Sequence, residues 1–246
     1  MTTPASPAYS PGLEGIIAGE SAICAVDPAA GLLYRGYDVH DLATRVSFEE
    51  VAWLLLNGEL PTVAQYEGFR EELAAARHLP AGVIELLRLL PQTMHPIDAL
   101  RAGVCFIAPF DEDLDDHSHA ANERKAVRLI ARVSSLATSG WRIHQGQEPL
   151  EMGGNLSFAA RFLFSLRGRE PESWESTAFN IVLILYAEHE FNASTFAARV
   201  TASTLSDMYA AVTSAIGTLK GPLHGGANEA AMNVLREVGS PDRAEQ

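Results

Sequence analysis

The first stretch that could carry chemistry is residues 221–229, which read GPLHGGANE. Pro222 sets the approach to His224, and the two glycines that follow leave the backbone free to adopt positive φ and let a ligand approach closely. Residues 227–238 then place apolar side chains near a 3.6-residue period, which predicts a helix. We therefore expect His224 on a tight turn before a helix N-terminus, where unpaired N–H groups and the helix dipole favour an acyl oxygen, a carboxylate or a phosphate. A lone histidine beside glycines is equally typical of an ordinary surface turn.

A second polar group ends the most apolar helical stretch, in residues 183–195, which read LILYAEHEFNAST. Only Asn180 is strongly polar within residues 178–187, so we expect a helix that is buried on most sides. The three ionisable residues 188–190 follow directly, and such groups are costly to bury without partners. They indicate either a ligand pocket or a closed salt-bridge network with arginines such as Arg199.

Other chemistries can be tested against the same residues. His189-Glu190 begins a zinc-peptidase pattern, but that pattern needs a second histidine four positions later, where Ala193 stands. The sequence holds no Gly-x-Ser-x-Gly elbow, no P-loop and no dinucleotide-binding glycine pattern. The two histidines, His189 and His224, therefore suit acid–base or polar-ligand chemistry without a metal.

Composition narrows the class of protein. The chain has 246 residues, of which 47% are hydrophobic, and a net charge of −13, which disfavours non-specific binding to nucleic acid or to a membrane surface. It has neither an apolar run long enough to span a membrane nor a recognisable signal or transit peptide, so we expect a cytoplasmic protein. We expect Cys24 and Cys105 to be buried free thiols, with a disulfide as the less favoured alternative.

The surrounding sequence predicts an all-α fold with a small N-terminal β-hairpin. Residues 22–26 and 32–34 have strand character and flank a turn, and the rest of the chain has helical periodicity with frequent caps. The acidic stretch 111–119 lacks a defensible metal-ligand spacing, and we interpret it as a solvated loop. The predicted helices start at capping-box residues Ser47 and Thr62 and then span residues 83–90, 96–108, 120–141, 157–166, 171–187, 195–217 and 227–238.

Four ordered motifs resemble the citrate synthase family, which includes the 2-methylcitrate synthases. Two of them are the stretches 183–195 and 221–229, and the others are LYRGYD at 33–38, followed by DLA at 41–43, and HPID at 95–98. The resemblance runs from about residue 12 to the end of the sequence. It implies a multi-helical large domain over residues 12–246, after a flexible N-terminus at residues 1–11.

The resemblance also implies an activity and roles for individual residues. Members of this family join an acyl-CoA to oxaloacetate, and citrate synthase itself uses acetyl-CoA as co-substrate, with no metal or other cofactor. By position in the motifs, His224 is the catalytic histidine at the thioester oxygen, and His189 and Asn192 are substrate-binding residues at oxaloacetate. A homodimer is the expected assembly.

Substrate choice and activity stay open at this stage. The motif around His189 has the sequence typical of 2-methylcitrate synthases, which use propionyl-CoA, although plain citrate synthases also carry it. By contrast, Leu223 stands at a position where many 2-methylcitrate synthases carry lysine. Residues up to Gln246 hold no match to the family's later Gly-Phe-Gly-His motif or to its catalytic aspartate. We therefore expect these residues alone, without the small domain, not to make citrate at a useful rate. A catalytically inactive family member that binds a ligand or a partner is the remaining alternative.

Overall fold

The structure is a computed structural model, and it describes residues 19–27, 31–150, 156–240 and 243. The expected flexible N-terminus, residues 1–11, lies outside these residues. Eleven α-helices, a short 3₁₀ helix at Ala108–Phe110 and a three-stranded sheet are present in the described part, which confirms the all-α prediction. The helices are α1 (Val39–Arg45), α2 (Phe48–Asn57), α3 (Val63–Ala76), α4 (Val83–Leu89), α5 (Pro96–Ile107), α6 (His119–His144), α7 (Phe158–Arg167), α8 (Ser173–Leu185), α9 (Ala193–Ser203), α10 (Met208–Leu219) and α11 (Gly226–Val238).

The predicted hairpin is present and carries one additional strand. β1 (Cys24–Asp27) pairs antiparallel with β2 (Gly31–Tyr34), and β2 pairs with the short β3 (Tyr37–Asp38). Arg35 and Gly36 form the two-residue turn between β2 and β3, with positive φ at both positions. Tyr34 at the end of β2 is fully buried.

The early helices begin and end where local chemistry predicts. Ser47 with Glu50 and Thr62 with Gln65 form complete capping boxes at the starts of α2 and α3. Gly58 ends α2 with φ of 95°, a left-handed conformation that favours glycine. These boundaries depend on residues three or four positions apart, and the sequence alone is sufficient to place them.

The single helix predicted over residues 195–217 is wrong, because the chain forms two helices there. α9 and α10 are separated by residues 204–207, and Leu205 within this break has φ of 62°. The Asp207 carboxylate accepts a hydrogen bond from the Ala210 N–H at 2.9 Å and so caps α10. The two helices pack against each other as a helical hairpin, and α10 also packs on α5.

Among the described residues, three apolar clusters hold the fold together. One lies between the sheet, α1, α2 and α8, a second between α4, α5, α6 and α10, and a third between α2, α3 and α6. α8 is less buried than predicted, because Val182 and Leu185 are more than 40% exposed and only Glu175 and Ile184 are buried. The described residues cover one face of this helix and leave the other open.

The acidic stretch after α5 also differs from its interpretation as a solvated loop. Asp111 and Asp113 are buried, and Arg128 of α6 lies within ion-pair distance of both. Burial alone would raise the pKa of Asp111, but hydrogen bonds from Arg128 and Tyr209 lower it below its ordinary value. This loop is therefore a folded ion-pair network that fastens α6 and α10. Of the two free cysteines, Cys24 is buried as expected, whereas Cys105 is exposed.

Candidate functional site

The His224 turn, residues 221–226, connects the end of α10 to the start of α11. The Gly221 carbonyl accepts hydrogen bonds from the His224 N–H at 2.9 Å and from the Gly226 N–H at 3.2 Å. One carbonyl therefore closes the turn on both sides of the histidine. Leu223 beside it is 99% exposed, whereas His224 itself is partly buried.

Glycine is required at position 225 for a reason other than the predicted positive φ. Gly225 has φ of −61° and ψ of −29°, which any residue can adopt. A Cβ atom at this position would lie 2.3 Å from the Leu219 carbonyl oxygen and 2.8 Å from the Leu219 side chain. The glycine therefore serves close packing of the turn against the end of α10.

The expectation of unpaired N–H groups at the start of α11 is wrong for its first turn. The N–H groups of Gly226, Ala227 and Asn228 donate to carbonyls of the preceding turn at 3.2, 3.0 and 3.1 Å. Because the turn folds back on itself, these donors are already satisfied. These three N–H groups are therefore not free to bind a ligand.

The two main motifs are joined by a short hydrogen-bonded chain of side chains. His224 Nε2 lies 2.9 Å from Ser194 Oγ, and Ser194 Oγ lies 2.7 Å from Asn192 Oδ1. Asn192 is the N-cap of α9, where its Oδ1 also accepts the Thr195 N–H at 2.8 Å. The geometry thus brings His224 and Asn192, which are predicted site residues, to one place.

Ser194 is a site residue to which the sequence analysis assigned no role. Its hydroxyl has one proton, so it donates either to Asn192 Oδ1 or to His224 Nε2. When it donates to Nε2, a neutral His224 carries its own proton on Nδ1. The serine proton thus determines which ring nitrogen is a donor. The sequence places Ser194 two residues after Asn192, the N-cap of α9. Nothing in the neighbouring residues indicates that its hydroxyl contacts a turn 30 residues later.

The segment after α8 is held by Tyr34, a second residue to which the sequence analysis assigned no role. Its hydroxyl donates toward the carbonyls of Ile184 at 3.0 Å and Glu188 at 2.9 Å, and it accepts the Glu188 N–H at 3.2 Å. Desolvation raises the pKa of Tyr34 to about 12. The hairpin therefore fixes the chain immediately before His189.

The ionisable residues after α8 form neither a buried cluster nor a closed network with Arg199. His189 is exposed, and Glu190 has φ of 57° and accepts the Val26 N–H at 3.1 Å. Arg199 lies over the Phe191 ring at 4.7 Å instead of pairing with these carboxylates. His189 lies three positions before Asn192, and no hydrogen bond within the described ranges joins it to His224.

Residues 19–27, 31–150, 156–240 and 243 contain no group of three or more histidine, cysteine, aspartate or glutamate side chains placed to hold a metal ion. None of the helices formed there combines the length and the apolar character that a bilayer span requires. The side chains joined at the site are the His224 imidazole, the Ser194 hydroxyl and the Asn192 amide, which can exchange hydrogen bonds, and the imidazole can also transfer a proton.

The all-α fold places one candidate histidine, His189, shortly after the end of α8 and the other, His224, on the turn before α11. Residues 12–246 match the family model described as "Citrate synthase, C-terminal domain". The chain belongs to the citrate synthase family, as the four motifs predicted.

Individual relatives agree with this assignment. The chain is 43% identical to citrate/2-methylcitrate synthase of Bacillus subtilis, over 97% of this chain and 64% of the relative. It is 44% identical to 2-methylcitrate synthase of Mycobacterium tuberculosis, over 100% of this chain and 63% of the relative. The chain thus spans just under two thirds of the length of these curated relatives.

Solved structures show the same fold. Citrate synthase of Pyrobaculum aerophilum superposes with a TM-score of 0.88 at 37% identity, covering 96% of this chain and 62% of that one. Citrate synthase of Thermoplasma acidophilum, solved as a ternary complex with carboxymethyl coenzyme A and oxaloacetate, superposes with a TM-score of 0.87 at 33% identity, covering 95% of this chain and 62% of that one.

Proposed function

We propose that this chain carries the condensing site of a citrate synthase, which joins acetyl-CoA to oxaloacetate and releases citrate and CoA. The observation that supports this most directly is the chain of hydrogen bonds from His224 through Ser194 to Asn192. It unites the two motifs that carry the resemblance. The named complex of the Thermoplasma relative with oxaloacetate and a coenzyme A derivative supports the same pair of ligands.

In this proposal His224 stabilises the enolate that forms from the thioester. A thioester α-proton is weakly acidic, so the negative charge on the oxygen must be neutralised as it develops. For a neutral His224 to donate Nδ1–H to that oxygen, the Ser194 hydroxyl has to turn its proton from Asn192 Oδ1 to His224 Nε2. The proton acceptor at the α-carbon is an aspartate of a later motif in the family, and we assign no described residue to that role.

We further propose that His189 and Asn192 bind oxaloacetate. Tyr34 fixes the backbone just before His189, and the Asn192 side chain is fixed as the α9 cap. The exposed His189 imidazole can therefore meet a ligand without breaking a hydrogen bond of the described fold. The reaction requires no metal and no cofactor besides the acyl-CoA co-substrate.

A second candidate is 2-methylcitrate synthase, which uses propionyl-CoA. The name of the Mycobacterium relative supports it, and the name of the Bacillus relative covers both activities. One methylene in a pocket changes discrimination by only about 1–3 kcal/mol, so the two activities can coexist in one enzyme. We also propose that the protein is a cytoplasmic homodimer in which residues 12–246 form the large helical domain. A monomer at micromolar concentration in light scattering would contradict the homodimer.

The test measures release of free thiol from acetyl-CoA or propionyl-CoA with oxaloacetate. The assay uses this chain and a chimera that adds the part of the Bacillus subtilis relative that this chain does not match. We expect turnover by the chimera and a loss of about 10²–10³-fold in kcat for His224→Ala, as for removal of one donor to a developing oxyanion. The exposed surface histidine His119 provides the control, and His119→Ala should leave the rate unchanged.

Two further measurements sharpen the result. The ratio of the two acyl-CoA rates distinguishes citrate from 2-methylcitrate synthesis. Calorimetry of oxaloacetate binding to His189→Ala tests the second histidine, and an unchanged affinity would contradict its role. Oxaloacetate binding without thiol release in the chimera would instead support a family member that only binds ligand.

A further inference from the structure

The position of α11 depends on few contacts. None of its residues is buried, and Met232, Val234 and Leu235 are at least half exposed. Apolar packing within the described fold therefore contributes little to holding this helix or the His224 turn before it. Polar contacts at the two ends of the turn must fix its position.

Both ends of the turn contact the first turn of α5. Before the turn, Lys220 Nζ forms a hydrogen-bonded ion pair with Asp98 Oδ2. After the turn, Glu229 Oε2 lies 3.6 Å from Nε2 of His95, the α5 N-cap. Lys220 is also the C-cap of α10, and its neighbour Gly221 supplies the carbonyl that closes the His224 turn.

Of the two residues at the start of α5, Asp98 is held more firmly than His95. Its carboxylate is only 16% exposed, and Arg101 Nη2 lies 3.2 Å from its other oxygen. Arg101 in turn lies against α10, because a Cβ at Gly217 would be 3.3 Å from its Nη1. The hydrogen bond from Lys220 lowers the pKa of Asp98, so the carboxylate is charged at neutral pH.

We infer that Asp98 is a positioning residue for His224: through Lys220 it fixes the root of the turn on which the imidazole is carried. This inference rests on the proposed function for its catalytic meaning, but its structural content can be tested without catalysis. Asp98 touches no reacting atom in this assignment. It acts through the Lys220 side chain, which positions the backbone at Gly221, whose carbonyl closes the His224 turn.

The test combines amide hydrogen exchange with NMR of the His224 imidazole nitrogens. In Asp98→Asn we expect the amides of His224 and Gly226 to exchange about 2- to 10-fold faster, the worth of one intramolecular hydrogen bond. We also expect the Nε2 signal to shift, because its distance to Ser194 depends on the turn. Lys220→Met should reproduce both effects, and the double variant should add little to either single one. Lys220→Arg keeps the positive charge, and its exchange rates and Nε2 signal should remain close to those of the wild type.

A matched control is the exposed Asp41–Arg45 pair of α1, which also places an aspartate in a first helical turn. Asp41→Asn should leave the exchange of His224 and Gly226 unchanged. Unchanged exchange and an unshifted Nε2 signal in Asp98→Asn would overturn the inference, as would a uniform acceleration over all helices. Local acceleration together with a chimera that never releases thiol would confirm the structural link and refute only its catalytic meaning.

Discussion

The hydroxyl of Tyr34 allows a sharp test of how the fold presents His189. Tyr34→Phe keeps the buried ring and removes only the oxygen, which bonds the Ile184 and Glu188 carbonyls and accepts the Glu188 N–H. The carbonyls lose one donor, and the partly buried Glu188 N–H loses its acceptor. Leaving a buried polar group unsatisfied costs about 1–3 kcal/mol. For a chain of this size we expect Tm to fall by about 2–12 °C.

Urea unfolding of wild type and Tyr34→Phe measures this cost, and the control is Tyr37→Phe in the partly exposed β3. Tyr37→Phe should change the free energy of unfolding by no more than about 0.5 kcal/mol. Folding raises the pKa of Tyr34 from 10.0 to about 12. The stability that it contributes is therefore complete below pH 10 and is lost as the pH rises through 12, so the wild type should lose stability more steeply in this window than Tyr34→Phe. Equal stability of the two chains, together with unchanged exchange of the Glu188 amide, would refute the reasoning.

Three other substitutions test separate parts of the structure. Gly225→Ala places a Cβ against the Leu219 carbonyl and should cost about 1–3 kcal/mol in urea unfolding, whereas Gly68→Ala in α3, which meets no atom within 4 Å, should not destabilise. Asp111→Asn removes the charge that receives Arg128 and should lower the free energy of unfolding by about 1.5–3 kcal/mol; a neutral outcome would show that Asp113 alone satisfies the arginine. Hydrogen bonds from Arg169 and other groups lower the pKa of Glu175 from 4.5 to about 2, so its stabilisation is present above pH 4.5 and is lost as pH falls toward 2. Glu175→Gln should therefore show a smaller drop in urea midpoint between pH 5 and 2.5 than the wild type, and an equal drop would contradict this account.

The parts of the fold that the sequence predicts well are those decided by neighbouring residues. The capping boxes at Ser47 and Thr62 and the helix over Gly226–Val238 follow from patterns within a few positions. The sequence analysis missed the break between α9 and α10 because no glycine or proline marks the left-handed residue Leu205, although Asp207 is a typical N-cap residue. The burial of α8 was overestimated because periodicity shows that a helix is apolar, not which of its faces the described residues cover.

The same distinction applies to the site. The residue types in the two motifs were sufficient to name His189, Asn192 and His224 as candidates. The contacts that position them join residues far apart in sequence: Ser194 meets His224 across the α9–α10 hairpin, and Tyr34 reaches Glu188 from the N-terminal sheet. Nothing local to Tyr34 indicates that its hydroxyl holds the end of a helix 150 residues later.

The satisfied amides at the start of α11 change how charge stabilisation at this site must work. A helix N-terminus with free N–H groups would provide donors that are fixed by the backbone. Here the first three are bonded within the His224 turn, so in the proposed function the His224 imidazole is the donor for a developing oxyanion. A side-chain donor is only as well placed as the backbone that carries it, and a misplacement of about 1 Å can cost about 10²-fold in rate. Because α11 buries none of its residues in the described fold, the ion pairs and hydrogen bonds around the turn determine the geometry on which the proposed chemistry depends.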